Sequence, residues 1–141
     1  MDCTLTDAEM AALVEGADCF VSLHRAEGFG YHLIESMSPG TPVVATSYSG
    51  NLDFCTPMTA YLVECEQRPI ARGEYPHASP SQTWAEPVRA SAVAALRAVR
   101  HDAEARSARV SQAKSAVEGY YSIEAYADRV GIRLSALLDE R

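Results

Sequence analysis

The stretch that most limits what this chain can fold into lies between residues 19 and 46, where two short apolar runs flank a glycine-rich bend and a helix-length segment. Cys19-Phe20-Val21-Ser22-Leu23 and Pro42-Val43-Val44-Ala45-Thr46 are too short for helices and too continuously apolar for strands with one wet face. Both predict strands covered on two sides. Between them, Glu27-Gly28-Phe29-Gly30 predicts a turn, and Tyr31 to Met37 a helix stopped by Pro39-Gly40. Strand, crossover helix and strand imply a right-handed connection within a parallel sheet. The expected fold is α/β, a partial Rossmann-like parallel sheet followed by C-terminal helices.

The flanking segments extend this plan. Thr6 or Asp7 is placed to cap a helix from Ala8 to Glu15, with Met10, Leu13 and Val14 on one face and Gly16 at its end. After Tyr48-Ser49-Gly50-Asn51, a third short strand is expected around Ala60 to Glu64. Residues 65–86, with Pro69, Gly73, Pro76 and Pro80, show no period and read as a Pro-rich loop. Unstructured loops of such length are uncommon unless they are functional or touch a partner. From Pro87, expected at a first helical position, Val88, Ala92, Leu96 and Val99 share a stripe. A helix over Ala103 to Gly119 follows, and Ser122 can cap a last one in which Tyr126, Val130, Leu134 and Leu138 recur every four residues. The whole, 1–141, reads as one partial domain: an α/β part to about residue 64, the loop 65–86, and a helical tail 87–141.

A chain of 141 residues suffices for one domain with a real apolar core. No apolar run approaches the roughly 20 residues of a membrane span, and Met1-Asp2-Cys3-Thr4 does not begin a secretory leader. The expected location is the cytoplasm, including the periphery of a membrane surface. The net charge of −7 and the scattering of the twelve Lys and Arg residues argue against nucleic acid as a partner. Cys3, Cys19, Cys55 and Cys65 lack metal-ligand spacing, and His24, His32, His77 and His101 lie far apart. Neither a metal site nor a disulfide framework is expected.

Ligands of open parallel sheets bind beyond the C-terminal strand ends, where residues 23–30 lie. Gly28 and Gly30 let a ligand approach the backbone, and amides at Phe29, Gly30 and Tyr31 can meet a phosphate or a sugar hydroxyl. Glu27 precedes the helix. Glu35 lies within it, roughly 150° from the core face of Leu33, Ile34 and Met37 at 100° per residue, and so faces water or ligand.

The string from Ser22 through His24-Arg25-Ala26-Glu27-Gly28-Phe29-Gly30-Tyr31-His32 to Glu35-Ser36-Met37, followed by Gly40-Thr41-Pro42-Val43-Val44-Ala45-Thr46, resembles the signature of family 4 (group 1) retaining glycosyltransferases. Two glutamates with seven residues between them bracket a Gly-Phe-Gly turn that leads to a Gly-x-Pro-Val-Val-Ala-Thr strand. Ser47-Tyr48-Ser49-Gly50-Asn51-Leu52-Asp53-Phe54 resembles the second ligand-side loop of bacterial members, and Trp84-Ala85-Glu86-Pro87 is similar to a subgroup of them. The resemblance implies a two-domain GT-B fold, of which this chain covers much of the second half of the C-terminal, donor-binding domain.

It further implies a nucleotide diphosphate sugar as donor, no cofactor and no metal, and transfer with retention by front-face attack assisted by the leaving phosphate. The residue matching the first glutamate, Glu27, takes hydroxyls of the donor sugar, and Glu35 takes the ribose hydroxyls; a carboxylate can accept from both hydroxyls of a cis-diol. Amides at Phe29, Gly30, Tyr31 and His32 hold sugar and diphosphate, and Ser49, Gly50 and Asn51 belong to the donor side. The acceptor, a glycan, lipid or small molecule, is held by a missing N-terminal domain.

Three departures qualify the likeness. Tyr31 and His32 replace smaller or apolar residues after the turn, and His32 reads as a partly exposed histidine within reach of a phosphate. Ser38-Pro39 replaces a more usual Ala and small residue. The basic residues that neutralise the diphosphate would lie upstream of Met1, and Arg25 reads as a solvated loop arginine that does not replace them. The isolated chain is therefore expected to be inactive, and a cut sheet edge to favour self-association. The alternative is a non-catalytic interaction module that kept the fold.

Overall fold

A computed structural model describes residues 4–79 and 81–139. Cys3 and the start of the supposed non-leader N-terminus, as well as Pro80 of the loop, lie outside the described residues. The elements run α1 (Asp7–Glu15), β1 (Phe20–Ser22), α2 (Tyr31–Met37), β2 (Val43–Thr46), a short 3-10 turn (Gly50–Asp53), β3 (Tyr61–Val63), β4 (Cys65–Pro69), β5 (Thr83–Pro87), α3 (Arg89–His101), α4 (Ala103–Tyr121) and α5 (Ile123–Asp139). Among the described residues no helix is long and apolar enough to cross a membrane.

The expected parallel sheet is present, in the order β1-β2-β3. Val21 lies opposite Val44, and Ala45 opposite Leu62. All four residues of β2 are buried, which is what a central strand covered on both sides requires. Val43 and Ala45 meet Leu33 and Met37 of α2 and Ala113 and Val117 of α4. Val44, on the other face, meets Ala92, Ala95 and Val99 of α3. Removing each valine side chain from water contributes about 1.5–3 kcal/mol, so this strand holds the two halves of the core together.

Local signals set the ends. Thr6 forms a capping box with Glu9: its hydroxyl oxygen accepts from the Glu9 amide at 3.3 Å, and the Glu9 carboxylate accepts from the Thr6 amide at 2.8 Å. The Ser122 hydroxyl accepts from the Ala125 amide at 3.1 Å at the start of α5. Gly40 sits at φ +104°, a left-handed conformation that ends the α2 region at little steric cost.

Several expectations are corrected. Residues 65–86 are not an unstructured loop: β4 and β5 pair as an antiparallel hairpin with Arg68 directly opposite Trp84. Pro87 does not begin a helix but closes this ladder opposite Cys65. Val88 donates its amide to the Glu64 carbonyl at 2.8 Å, and α3 starts only at Arg89. The buried stripe of α3 is Ala92, Ala95 and Val99, and Leu96 is exposed. Met10 and Leu13 of α1 are exposed, as are Tyr126, Val130, Leu134 and Leu138 of α5.

Candidate functional site

Two loops leave the sheet at the C-terminal ends of β1 and β2, and they lock against each other. Gly50 is the contact point: a Cβ there would overlap the carbonyl oxygen of Gly28 and stand 3.3 Å from Phe29 Cα, so only glycine permits this approach. The Ser49 hydroxyl donates to the Glu27 carbonyl at 2.5 Å. His24 adds a second tie. Its Nε2 lies 3.1 Å from the Tyr48 carbonyl oxygen and must donate to it, which leaves Nδ1 to accept from the Ser22 hydroxyl at 3.0 Å.

Several polar groups of the bend have no partner among the described residues. Gly30, at φ +91°, is the buried N-cap of α2, with Leu33, Asn51 and Phe54 around the place a side chain would occupy. The amides of Phe29, Gly30, Tyr31 and His32 donate to no acceptor among the described residues, as befits the residues that enter a helix. Glu27 Oε1 accepts from the Gly28 amide at 2.9 Å, and Oε2 lies 3.6 Å from His32 Nε2. Each carboxylate oxygen keeps acceptor capacity for a further hydroxyl. His32 is not a bare solvated ring, because it also packs 5.7 Å from the Phe20 ring.

Glu27 contacts His32 of α2, and Glu35 lies one turn further along that helix. His32, beside Glu27, is three residues before Glu35 and shares its flank of α2. Glu35 is exposed, as its helical angle predicts, and lines a groove of about 600 Å³ between α1 and α2 with Asp7, Met10, Val14 and Ser38. Phe29 faces the other way. Its ring meets Tyr31, Phe54 and Tyr121 at 5.0–5.8 Å in tilted or edge-on contacts, which anchors the bend to the end of α4.

Asn51 differs from the other candidates. Its side chain is fully buried, donates to the Thr46 carbonyl at 3.1 Å and shapes the second loop from within. Ser49 and Gly50 thus present backbone and hydroxyl, whereas Asn51 presents nothing outward. Asn51 Oδ1 and Thr46 Oγ1 are buried there without a hydrogen-bond partner among the described residues.

Arg25 is more constrained than its sequence position suggests. It is a solvent-exposed loop arginine as expected, but not a free one: Nε lies 2.8 Å from Glu86 Oε2, Nη2 donates to Oε1 at 2.9 Å, and its guanidinium sits 4.7 Å over the Trp84 ring. His24 was likewise passed over. No periodicity marks either residue, since their partners lie 24 and 61 positions away. Among the described residues no group of three or more His, Cys, Asp or Glu gathers as a metal ion would need.

Compared with known families, residues 4–71 match the model of glycosyl transferases group 1. The matched segment runs from before α1 past β4 and includes the bend, both glutamates and the Gly50 loop. It supports a glycosyltransferase-type domain. No curated protein matches the chain.

Proposed function

We propose, from the group 1 match, that the chain is the donor-side part of a retaining glycosyltransferase of family 4, which moves a sugar from a nucleotide diphosphate sugar to a glycan, lipid or small-molecule acceptor. The observation that carries this reading is the Gly50–Gly28 contact. It fixes two strand-end loops as one surface on which four unpaired amides and the Glu27 carboxylate lie together.

On that surface Glu27 accepts hydroxyls of the donor sugar, and Glu35, farther along the same flank, accepts the ribose hydroxyls. The amides of residues 29–32 meet the diphosphate, where charge grows as the glycosidic bond to phosphate breaks. Ser49 and Gly50 keep the bend in place, and Asn51 supports them from beneath. The acceptor and the cations that balance the diphosphate come from residues upstream, so the isolated chain binds donor without turning it over. The reading is tested by following backbone amide resonances during titration with UDP-glucose and GDP-mannose. Shifts confined to residues 27–35 and 49–51 support it, and a spectrum unchanged by both donors contradicts it.

A second reading is favoured by one observation: α5 exposes Tyr126, Val130, Leu134 and Leu138 along one stripe. A module that kept this fold to hold a partner on α5 would need no donor, and it would show no amide shifts at the bend.

A further inference from the structure

The β4–β5 hairpin holds a continuous chain of charged and aromatic contacts that ends two residues before Glu27. At its far end, Arg68 Nη1 and Nη2 donate to both oxygens of Glu74, at 2.8 and 2.7 Å, and Glu74 also accepts from the Ala71 amide at 2.8 Å. Arg68 Nε donates to Glu86 at 3.0 Å. Glu86 in turn takes the fork of Arg25. Both guanidiniums lie over the Trp84 ring, at 4.7 and 5.1 Å. The backbone joins in where the chain meets the bend, because the Ala85 amide donates to the Arg25 carbonyl at 2.9 Å. Ala85 itself is fully buried.

We propose that Arg25 is a positioning residue: gripped by Glu86 and stacked on Trp84, it couples the hairpin to the loop of Glu27 and sets where that carboxylate stands. The proposal rests on the donor-site reading. A lone exposed ion pair would not do this, since such pairs cost side-chain freedom and contribute little. Here the guanidinium has a planar two-point partner, a ring beneath it and a backbone bond at its own carbonyl, so its orientation is over-determined. Lysine cannot replace it, because an ammonium lacks the fork and the flat stacking face. The hairpin sequence is thereby tied to donor binding although no residue of β4 or β5 belongs to the bend.

The experiment is amide hydrogen exchange, read by mass spectrometry on the full chain, with donor affinity for UDP-glucose and GDP-mannose measured on the same samples. Arg25→Met, Arg25→Lys and Trp84→Ala are expected to accelerate exchange over residues 83–87, where the Ala85 amide donates to the Arg25 carbonyl, by about five-fold, and Trp84→Phe to stay near wild type. Glu118→Gln, exposed on α4 and outside the contact chain, serves as the control. Peptides of α3 between residues 92 and 99 should not change. Unchanged exchange over 83–87 in Arg25→Met would overturn the proposal, and so would equal acceleration everywhere, which marks a general loss of stability. If the wild type binds a donor, Arg25→Met should bind it several-fold more weakly; equal binding also overturns the proposal. If the wild type binds neither donor, the donor-site reading fails, and the exchange result still decides whether Arg25 positions the loop.

Discussion

Gly50 and Gly28 are in backbone contact, and through them the loop after β2 closes on the loop after β1. The two glycines are not equivalent. A side-chain atom on Gly50 meets a carbonyl group that cannot move without opening the bend, whereas one on Gly28 meets nothing within 4 Å.

Gly50→Ala is therefore expected to destabilise the fold by about 1–3 kcal/mol, the range for forcing atoms into a packed site. Gly28→Ala should change stability by no more than about 0.5 kcal/mol, since the space is open. Chemical denaturation of both variants checks this. Equal stabilities would mean that the loops are not locked at Gly50.

The ion pairs of the hairpin should weaken only as pH falls well below the usual carboxylate range. Hydrogen bonds from Arg68, and then from the Ala71 amide, hold the Glu74 carboxyl down to about 2 from its ordinary 4.5, and Arg25 followed by Arg68 lowers Glu86 as well. A carboxyl depressed in the folded state stabilises it fully above the unfolded value, and that contribution fades as pH falls from about 4.5 towards 2. Carboxyl titration by NMR should find Glu74 near the lower figure in the wild type, and shifted upward in Arg68→Met, though still below its ordinary value because the Ala71 amide bond remains. A Glu74 that titrates normally in the wild type would show that the Arg68 fork does not form.

Cys55 should be the least reactive of the described thiols. Burial pushes it up to about 12, opposed only in part by a hydrogen bond from Asn51, so little thiolate exists at neutral pH. Burial also raises Cys19 and Cys65, by less. Alkylation of the native chain at pH 8, mapped by peptide, should mark Cys65 well before Cys55. Early labelling of Cys55 would mean that the Asn51 loop opens readily.

What could be read from the residues alone follows from how local each signal is. The span Tyr31–Met37 of α2 was legible because a turn, an apolar face and Pro39-Gly40 all lie within a dozen residues. The caps at Thr6 and Ser122 act over three residues and were equally plain. The β4–β5 hairpin was not legible: Cys65-Glu66-Gln67-Arg68-Pro69 is mostly exposed, with no apolar alternation. Its order comes from Arg68, Trp84 and Glu86 meeting across the ladder, which no period encodes. Glu27 and Glu35 stand out only through the resemblance of the whole string around the bend, not through any property of either residue alone. The inward turn of Asn51 and the grip on Arg25 depend on Thr46 and Glu86, and appear only once the chain is folded.

The central claim, that the bend between β1 and α2 holds a nucleotide diphosphate sugar through Glu27, is tested most directly by calorimetric titration of the wild type and Glu27→Gln with UDP-glucose and GDP-mannose. The account predicts saturable heat with one of these donors, and an affinity about ten-fold or more lower in Glu27→Gln, as expected for loss of a charged hydrogen-bond acceptor. Absence of heat with both donors, or equal affinity in the variant, would contradict it.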